Sequence, residues 1–314
     1  MSLTEHDILT RTANPTSLSE PADFTLGAGR AVDLGRARAP DVSPYCFDLQ
    51  SRTLLCVSTP DIAGSTFFYQ AQRRLARTVV KVPLKALPEG HASPTLIFSI
   101  GRCGSTLLFR AFEAAGVRIV SEPDFFTQAA MAGRHQPDDP YLRSAVGRAA
   151  QLLPYSAFKL RLECNAAPLL IAGAFETPKV LFILRDPADW ASSHRHQSRD
   201  TIGAVHWATI LKGSLFALGQ LAQRYAVRVG YFEDFRRLPV APIVDLLAST
   251  GWTGAVTQQT LDEVARKDSH EGAADSRDVV GDVPPDPVFR EEFAREWRRV
   301  RPADLIDRLE LRGL

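Results

Sequence analysis

The chain has 314 residues, 45% of them hydrophobic and 23% charged, which is the composition of an ordinary globular protein with room for one large core and an appendage. Lys and Arg number 37 against 36 Asp and Glu, so the formal net charge of +1 excludes a global attraction for nucleic acid or an anionic membrane. No segment of 18 consecutive apolar residues is present, and we therefore expect neither a nucleic-acid partner nor a membrane span.

The first 40 residues are polar and rich in Pro, Gly and Arg, without periodicity, which predicts a loosely packed lead-in. From Tyr45 the pattern changes. CFDLQSRTLLCVS predicts a hairpin around Gln50 and Ser51, FFYQAQRRLA a short helix or strand, and TVVKVPL another strand. We expect residues 1–92 to form an N-terminal extension, β-rich from about residue 45, before a main domain at 93–314.

The segment TLIFSIGRCGSTLL, residues 95–108, is an apolar strand that enters a glycine-flanked turn and then opens a helix. Gly101 and Gly104 can adopt backbone angles closed to other residues, and the first N–H groups of the helix, from Ser105 onward, have no partners within it. This arrangement predicts a site for phosphate or sulfate. The loop lacks the Lys that GxxxxGK[ST] loops place before the Ser, and carries Arg102 before Gly104 instead.

Strand and helix patterns alternate from Pro94 onward, which predicts a parallel sheet covered by helices on both faces. A long loop is expected at 268–287, followed by an amphipathic helix whose Phe289, Phe293 and Trp297 pack in the core. The strands are predicted at 95–100, 117–121, 156–160, 180–184 and 227–231.

The segment VLFILRDPADWASS, residues 180–193, repeats the strand-to-helix pattern. Asp186 and Pro187 are suited to the N-cap and first turn of a helix. Arg185 follows the carboxyl end of its strand, where ligands of open α/β sheets bind. Ser193 comes about two turns into the helix, on the side that faces back toward Arg185.

In this order, and about 80 residues apart, the two segments resemble the nucleotide motifs of sulfotransferases, which transfer a sulfuryl group from 3′-phosphoadenosine 5′-phosphosulfate (PAPS) to a hydroxyl or amine. The closest pattern is the GRSGSTLL type of bacterial member, related to heparan and tyrosylprotein sulfotransferases. The resemblance implies a three-layer P-loop-type α/β fold and PAPS as co-substrate, with no metal required. It implies that the nucleotide is held by Arg102, Cys103, Gly104, Ser105, Thr106, Leu107, Arg185 and Ser193.

Sulfuryl transfer also needs a base that deprotonates the acceptor. Members with a His base place it in a KxH pattern, but the equivalent stretch here is FKLRLE, with Arg161 at that position, and a guanidinium cannot act as a base at neutral pH. Glu122, in IVSEPDFF, resembles the base Glu of heparan and tyrosylprotein sulfotransferases. The alternative is a capping or ion-pairing carboxylate at the start of a helix at 123–131.

Positive charge is needed near the transferring group, and Lys159 and Arg102 are the leading candidates. Lys159 ends a predicted strand, from which its ammonium can extend toward the bridging oxygen. A solvated Lys at a strand end is the alternative interpretation.

Two other functions stay open, and a third is excluded by the spacing of its residues. A P-loop kinase requires the missing Lys and an acidic Mg²⁺ ligand, for which Asp186 is a poor candidate. A non-catalytic nucleotide-binding protein on the same fold is the other alternative. Cys103 resembles a phosphatase nucleophile, but the Arg that such enzymes place six residues later is replaced by Phe109, with Arg110 one residue late.

The acceptor class that the resemblance implies is broad: a small molecule, a glycan or a lipid, selected by segments such as 122–145 and 268–288. Arg266 and Lys267 are weak candidates for a basic segment that closes over the 3′-phosphate. The four cysteines show no metal spacing and are expected to be free thiols. The N-terminus lacks the pattern of a signal peptide, which favours a cytoplasmic location. The histidines at 194, 196 and 206 are expected at the surface.

Overall fold

The computed structural model describes residues 3–12, 17–62, 64–90, 93–197, 201–266 and 286–314. The strands are β1 (Leu3–Arg11), β2 (Phe24–Val32), β3 (Val42–Asp48), β4 (Thr53–Ser58), β5 (Thr78–Pro83), β6 (Thr95–Ser99), β7 (Ile119–Ser121), β8 (Ala157–Lys159), β9 (Lys179–Leu184) and β10 (Val227–Tyr231). The helices are α1 (Leu34–Ala37), α2 (Phe68–Leu75), α3 (Ser105–Ala114), α4 (Phe125–Gly133), α5 (Pro140–Ala150), α6 (Pro168–Ala172), α7 (Pro187–Gln197), α8 (Ala204–Ala222), α9 (Phe232–Phe235), α10 (Val240–Ser249), α11 (Gln258–Arg266), α12 (Pro287–Val300) and α13 (Ala303–Arg308), with short 3-10 turns at Pro21–Asp23, Leu84–Ala86 and Leu162–Ala166.

The fold class is α/β, as predicted. In the described part of the chain, β1–β5 form an antiparallel sheet in the order β2-β1-β5-β4-β3, and a separate parallel sheet has five strands, β6–β10. The predicted strands of the parallel sheet are confirmed to within two residues at each end. The chain divides into two compact units, the first made of Met1–Pro94 and Arg118–Pro178, the second of Thr95–Val117 and Lys179–Leu314. The division at residues 92 and 93 stays a prediction.

The first unit contains the antiparallel sheet and the parallel pair β7 and β8, in which Ser121 lies beside Lys159. The expectation of a loosely packed lead-in before residue 40 is wrong, because β1 and β2 pair over most of their length and β1 also pairs with β5. Most of their side chains are exposed or half-buried, but Phe24 lies in a core cluster and Ile8 and Leu26 pack against it, so backbone pairing and this apolar contact together hold the strands. The hairpin at Gln50 and Ser51 is confirmed by β3 and β4, and FFYQAQRRLA forms helix α2.

The second unit is built on three adjacent parallel strands, with β9 between β6 and β10. Every residue of β6 is buried, as are the last five of β9, which explains their unbroken apolar sequence. Helix α12 packs through Phe289, Phe293 and Trp297, which are all buried as predicted. The loop predicted at 268–287 falls almost entirely outside the described residues.

Candidate functional site

The anion loop, residues 100–104, connects β6 to α3 through a left-handed backbone. Gly101, Arg102 and Gly104 have φ angles of 68°, 45° and 73°. The first helical hydrogen bond runs from the N–H of Leu108 to the carbonyl of Gly104 at 3.0 Å, so the three preceding N–H groups of α3 have no carbonyl four residues back within the helix. The predicted strand, turn and helix are therefore present, with the N–H groups of Ser105, Thr106 and Leu107 at the helix start.

The two sequence motifs meet at Arg102. Its Nε donates to the Oγ of Ser193 at 3.0 Å, and its carbonyl accepts from the Nη1 of Arg185 at 2.9 Å. Arg185 follows β9, and Ser193 lies on α7, whose start is capped as predicted: the Oδ1 of Asp186 accepts from the N–H of Asp189 at 2.9 Å. Two segments that are 83 to 91 residues apart in the chain are thus joined by hydrogen bonds to one residue.

Arg185 is partly buried, and one of its donors is unused. Its Nε has no hydrogen-bond partner in the described part of the chain, although it is out of contact with solvent. The guanidinium lies 4.8 Å from the ring centre of Phe232, which also packs against Gly104. Burial lowers the pKa of Arg185, because a desolvated guanidinium is a less stable cation. An anion that accepts from Nε would offset this cost.

Trp190 and His194 lie one helical turn apart on α7, on the side of the anion loop. The Trp190 indole N–H donates to the carbonyls of Ile100 and Gly101, each at 2.9 Å. His194 was expected at the surface, and that expectation is wrong: only 7% of the residue is exposed, because its ring packs against Trp190 at 4.7 Å and against Trp207 at 4.4 Å.

Burial, and after it the positive charges of Arg102 and Arg185, lower the pKa of His194 to about 3. The ring is therefore neutral at physiological pH. Of the other two histidines that were expected at the surface, one is exposed and one is not. His206 is exposed, as expected, but on α8, while His196 is partly buried and its Nε2 has no partner among the described residues.

In the first unit, Glu122 and Lys159 form an ion pair at the ends of β7 and β8. The Lys159 ammonium donates to Glu122 Oε1 at 2.5 Å, and the Glu122 N–H donates to the Lys159 carbonyl at 2.7 Å. Lys159 is only 2% exposed, so it is not a solvated strand-end Lys. Glu122 has a φ of 62°, a left-handed conformation that costs free energy in a residue other than Gly. The structure thus contains the ion-pairing carboxylate of the alternative interpretation, and the role as base stays a prediction.

A second, buried ion pair lies beside the first. Arg161 donates to Asp124 Oδ1 at 2.8 Å, and the N–H of Ser19 donates to Asp124 Oδ2 at 2.6 Å. Arg161 also lies over the ring of Tyr69 at 4.6 Å. Asp124 precedes α4 but makes no side-chain capping bond. Arg161, which stands at the His position of the KxH pattern, therefore forms an ion pair that fixes the segment after Glu122.

The structure also shows where most of the remaining candidate residues lie. All four cysteines are thiols outside any disulfide and all are buried, so Cys103 presents no exposed thiol. The segment 122–145, expected as a specificity loop, is largely helical, since it contains α4 and the start of α5. Arg266 ends α11, whereas Lys267 lies outside the described residues. The roles assigned to Arg102, Glu122 and Lys159 stay predictions.

The sequence did not predict the positions of four residues around the two motifs: Trp190, His194 and Phe232 beside the anion loop, and Glu233 beside Asp186. Trp190 and His194 carried one detectable signal, because residues four apart share a helix face. Glu233 accepts from the N–H of Asp186 at 2.9 Å, and Phe232 packs on Gly104; neither contact had a local sequence signal.

No protein-family model matches the chain, and no curated protein matches it. Solved structures that it resembles include a sulfotransferase from Alicyclobacillus acidocaldarius, with 20% identity over 71% of this chain and 96% of that one and a TM-score of 0.40. The sulfotransferase domain of the Synechococcus PCC 7002 olefin synthase matches with 14% identity, 71% and 95% coverage and a TM-score of 0.40. Mouse sulfotransferase SULT7A1, complexed with PAP, matches with 16% identity, 72% and 85% coverage and a TM-score of 0.39.

None of the helices that the structure describes is both long enough and apolar enough to cross a bilayer. The described residues also contain no cluster of three or more His, Cys, Asp or Glu side chains with the geometry to bind a metal ion.

Replacing Gly104 by Ala should destabilise the second unit by more than backbone strain alone. A Cβ at this position collides with the ring of Phe232 and lies 3.3 Å from Phe235. Gly116→Ala is the matched control, because Gly116 also has a positive φ, of 84°, but a Cβ there meets nothing within 4 Å. In urea unfolding we expect a loss of about 1–2 kcal/mol for Gly116→Ala and of about 3 kcal/mol or more for Gly104→Ala. Equal losses would contradict the close packing of Phe232 on the loop.

Replacing His194 by Gln should flatten the dependence of stability on pH. The unfolded chain binds a proton on this imidazole below its ordinary pKa of 6.5, whereas the folded protein does not until about pH 3. The unfolded state therefore binds more protons in this range, and His194 makes the wild type lose up to about 1.4 kcal/mol per pH unit as the pH falls from about 6.5 toward 3.

The measurement is the free energy of unfolding in urea at several pH values between about 4.5 and 7. We expect the stability advantage of the wild type over His194→Gln to shrink as the pH falls. His206→Gln, on exposed α8 surface, is the control and should retain the wild-type pH dependence. A stability advantage that stays constant with pH would show that His194 is not held neutral in the fold.

Proposed function

We propose that this protein is a PAPS-dependent sulfotransferase that transfers a sulfuryl group to a hydroxyl or amine of a small molecule, glycan or lipid. The observation that carries the proposal is the meeting of both nucleotide motifs at Arg102, through Ser193 on one side and Arg185 on the other. If the two segments resembled the nucleotide motifs only by chance, there would be no reason for Arg185 and Ser193 to hydrogen-bond the same residue of the other segment.

The second unit supplies the groups that a bisphosphate nucleotide needs. The first-turn N–H groups of α3, together with the hydroxyls of Ser105 and Thr106, suit the 5′-phosphosulfate. Arg185 and Ser193 suit the 3′-phosphate, and the unused Nε of Arg185 fits an anion that the described residues do not provide.

For the acceptor step, the proposal takes Glu122 as the base and Lys159 as the cation that the sequence predicts. The acceptor oxygen or nitrogen attacks sulfur, its proton passes to the carboxylate of Glu122, and the bond between sulfur and the 5′-phosphate oxygen breaks. The products are the sulfated acceptor and adenosine 3′,5′-bisphosphate. When Glu122 takes the proton its negative charge is lost, and the Lys159 ammonium is left as the uncompensated charge of the pair, which favours the negative charge that develops in transfer.

The kinase alternative has less support. Gly104, not Lys, directly precedes Ser105, and the Oδ1 of Asp186, the candidate Mg²⁺ ligand, accepts the helix-capping hydrogen bond from the N–H of Asp189. A cytoplasmic location is part of the proposal.

The proposal is tested by calorimetric titration with adenosine 3′,5′-bisphosphate in the absence of Mg²⁺, followed by an acceptor screen with labelled PAPS. We expect the bisphosphate to bind more tightly than ATP with Mg²⁺, and label to appear on a hydroxyl or amine acceptor. Preference for ATP with Mg²⁺ would favour a kinase. Binding without turnover on any acceptor would favour a nucleotide-binding protein that is not an enzyme.

Variants separate nucleotide binding from catalysis. Arg185→Ala and Ser193→Ala should weaken bisphosphate binding by about 10- to 100-fold, because each removes a hydrogen bond to a charged group. Ser192→Ala is the matched control for the Ser: it lies next in the helix, bonds the carbonyl of Ala188, and should bind normally. Arg228→Ala, an exposed arginine on β10, is the control for Arg185.

Glu122→Gln should leave nucleotide binding intact and lower turnover by roughly 10²- to 10⁴-fold, because it removes the base. It also leaves Lys159 without its carboxylate, so thermal stability must be recorded in parallel, with Glu122→Gln/Lys159→Met as a stability control. Full turnover in Glu122→Gln on a genuine acceptor would exclude Glu122 as the base.

A further inference from the structure

Trp190 makes two hydrogen bonds that have no part in the proposed chemistry. Its side chain is fully buried, and its one N–H is shared between two consecutive carbonyls, those of Ile100 and Gly101, at 2.9 Å each. These carbonyls belong to the entry of the anion loop. An indole N–H is a donor only, so it fixes which way these two peptide groups face.

The orientation of one carbonyl sets the direction of the next N–H. In a trans peptide the C=O of one residue and the N–H of the following residue point in opposite directions, and the described part of the chain contains no cis peptide. Because the Gly101 carbonyl faces Trp190, the Arg102 N–H faces away from it. In the same way the Arg102 carbonyl accepts from Arg185, which turns the Cys103 N–H away from Arg185.

Neighbouring rings hold the indole in place. His194, Trp207 and Phe293 pack around Trp190, with ring centres 4.7, 5.9 and 6.4 Å away. All three neighbours are buried. A packed ring of this size cannot rotate to release its hydrogen bonds without moving its neighbours, so the loop entry is fixed before any ligand arrives.

We infer that Trp190 is a positioning residue for the anion loop: through the carbonyls of Ile100 and Gly101 it holds the loop's N–H groups in the direction that receives a phosphate or phosphosulfate group. It touches no reacting atom and acts only through the loop backbone. The inference rests on the proposed function, since it assumes that the loop binds the nucleotide.

The test compares two identical chemical changes in the same aromatic cluster. Trp190→Phe keeps an aromatic ring and removes the N–H that holds the loop. Trp207→Phe removes an N–H that is buried but has no partner among the described residues. Both variants lose similar ring volume next to His194, so a purely structural role predicts similar behaviour.

We expect Trp190→Phe to weaken adenosine 3′,5′-bisphosphate binding by about 10- to 100-fold in calorimetry, since the carbonyls of Ile100 and Gly101 lose the indole donor and the loop entry loosens. Trp207→Phe should bind within about 3-fold of wild type at a comparable loss of thermal stability. With an acceptor in hand, Trp190→Phe should raise KM for PAPS more than it lowers kcat, because ground-state binding is what it weakens.

If Trp190→Phe does not fold, site-specific benzothienylalanine at position 190, in which sulfur replaces the indole N–H, makes the same test with the ring shape retained. Wild-type affinity in either Trp190 variant, or equal weakening in Trp207→Phe, would overturn the inference. Failure of the wild type itself to bind the bisphosphate would instead overturn the proposed function.

Discussion

Arg102 is the residue at which the second unit's site is assembled, because its backbone and its side chain hold different partners. The carbonyl accepts from Arg185 at the end of β9, and the guanidinium donates to Ser193 on α7. For this to be geometrically possible the residue adopts a φ of 45°, which a side chain other than Gly enters only at a cost of about 1 kcal/mol or more. The hydrogen bonds to its two partners offset that strain and also fix the relative positions of loop, strand end and helix.

In the first unit, Glu122 also combines a positive φ with hydrogen-bond partners for both its backbone and its side chain. It follows the last residue of β7 directly, and its φ of 62° turns the chain sharply, while its own N–H remains bonded to Lys159. Glycine would make this turn without strain. The sequence instead keeps a carboxylate there, paired with a buried ammonium, and fixes the following segment through Asp124 and Arg161. A charged residue with a positive φ is therefore common to both candidate sites, directly after β7 for Glu122 and three residues after the end of β6 for Arg102.

How much of the structure the sequence predicts depends on how far apart in the chain the interacting residues lie. Strands such as β6 and β9 are buried along their length, so their apolar runs mark them locally. Strands β1 and β2 carry no such mark: the one buried charged residue of β1, Glu5, bonds Arg30, Arg36 and Thr78, which lie 25 to 73 residues away. For the same reason Arg185 and Ser193 were recognisable in a local motif, whereas the contact of Phe232 with Gly104 was not.

The burial of His194 shows how the aromatic cluster also governs charge. Three basic side chains, those of Arg102, Arg185 and His194, lie in one region, and a third positive charge there would repel the other two. Rings contributed by α7, α8 and α12 exclude water from the imidazole, and with the two guanidinium groups they lower the pKa of His194 to about 3. Arginine keeps its proton under the same burial because its ordinary pKa is so high. The region thus carries two guanidinium charges and one neutral ring across the physiological pH range, so a phosphate or phosphosulfate anion would meet the same two positive charges throughout that range.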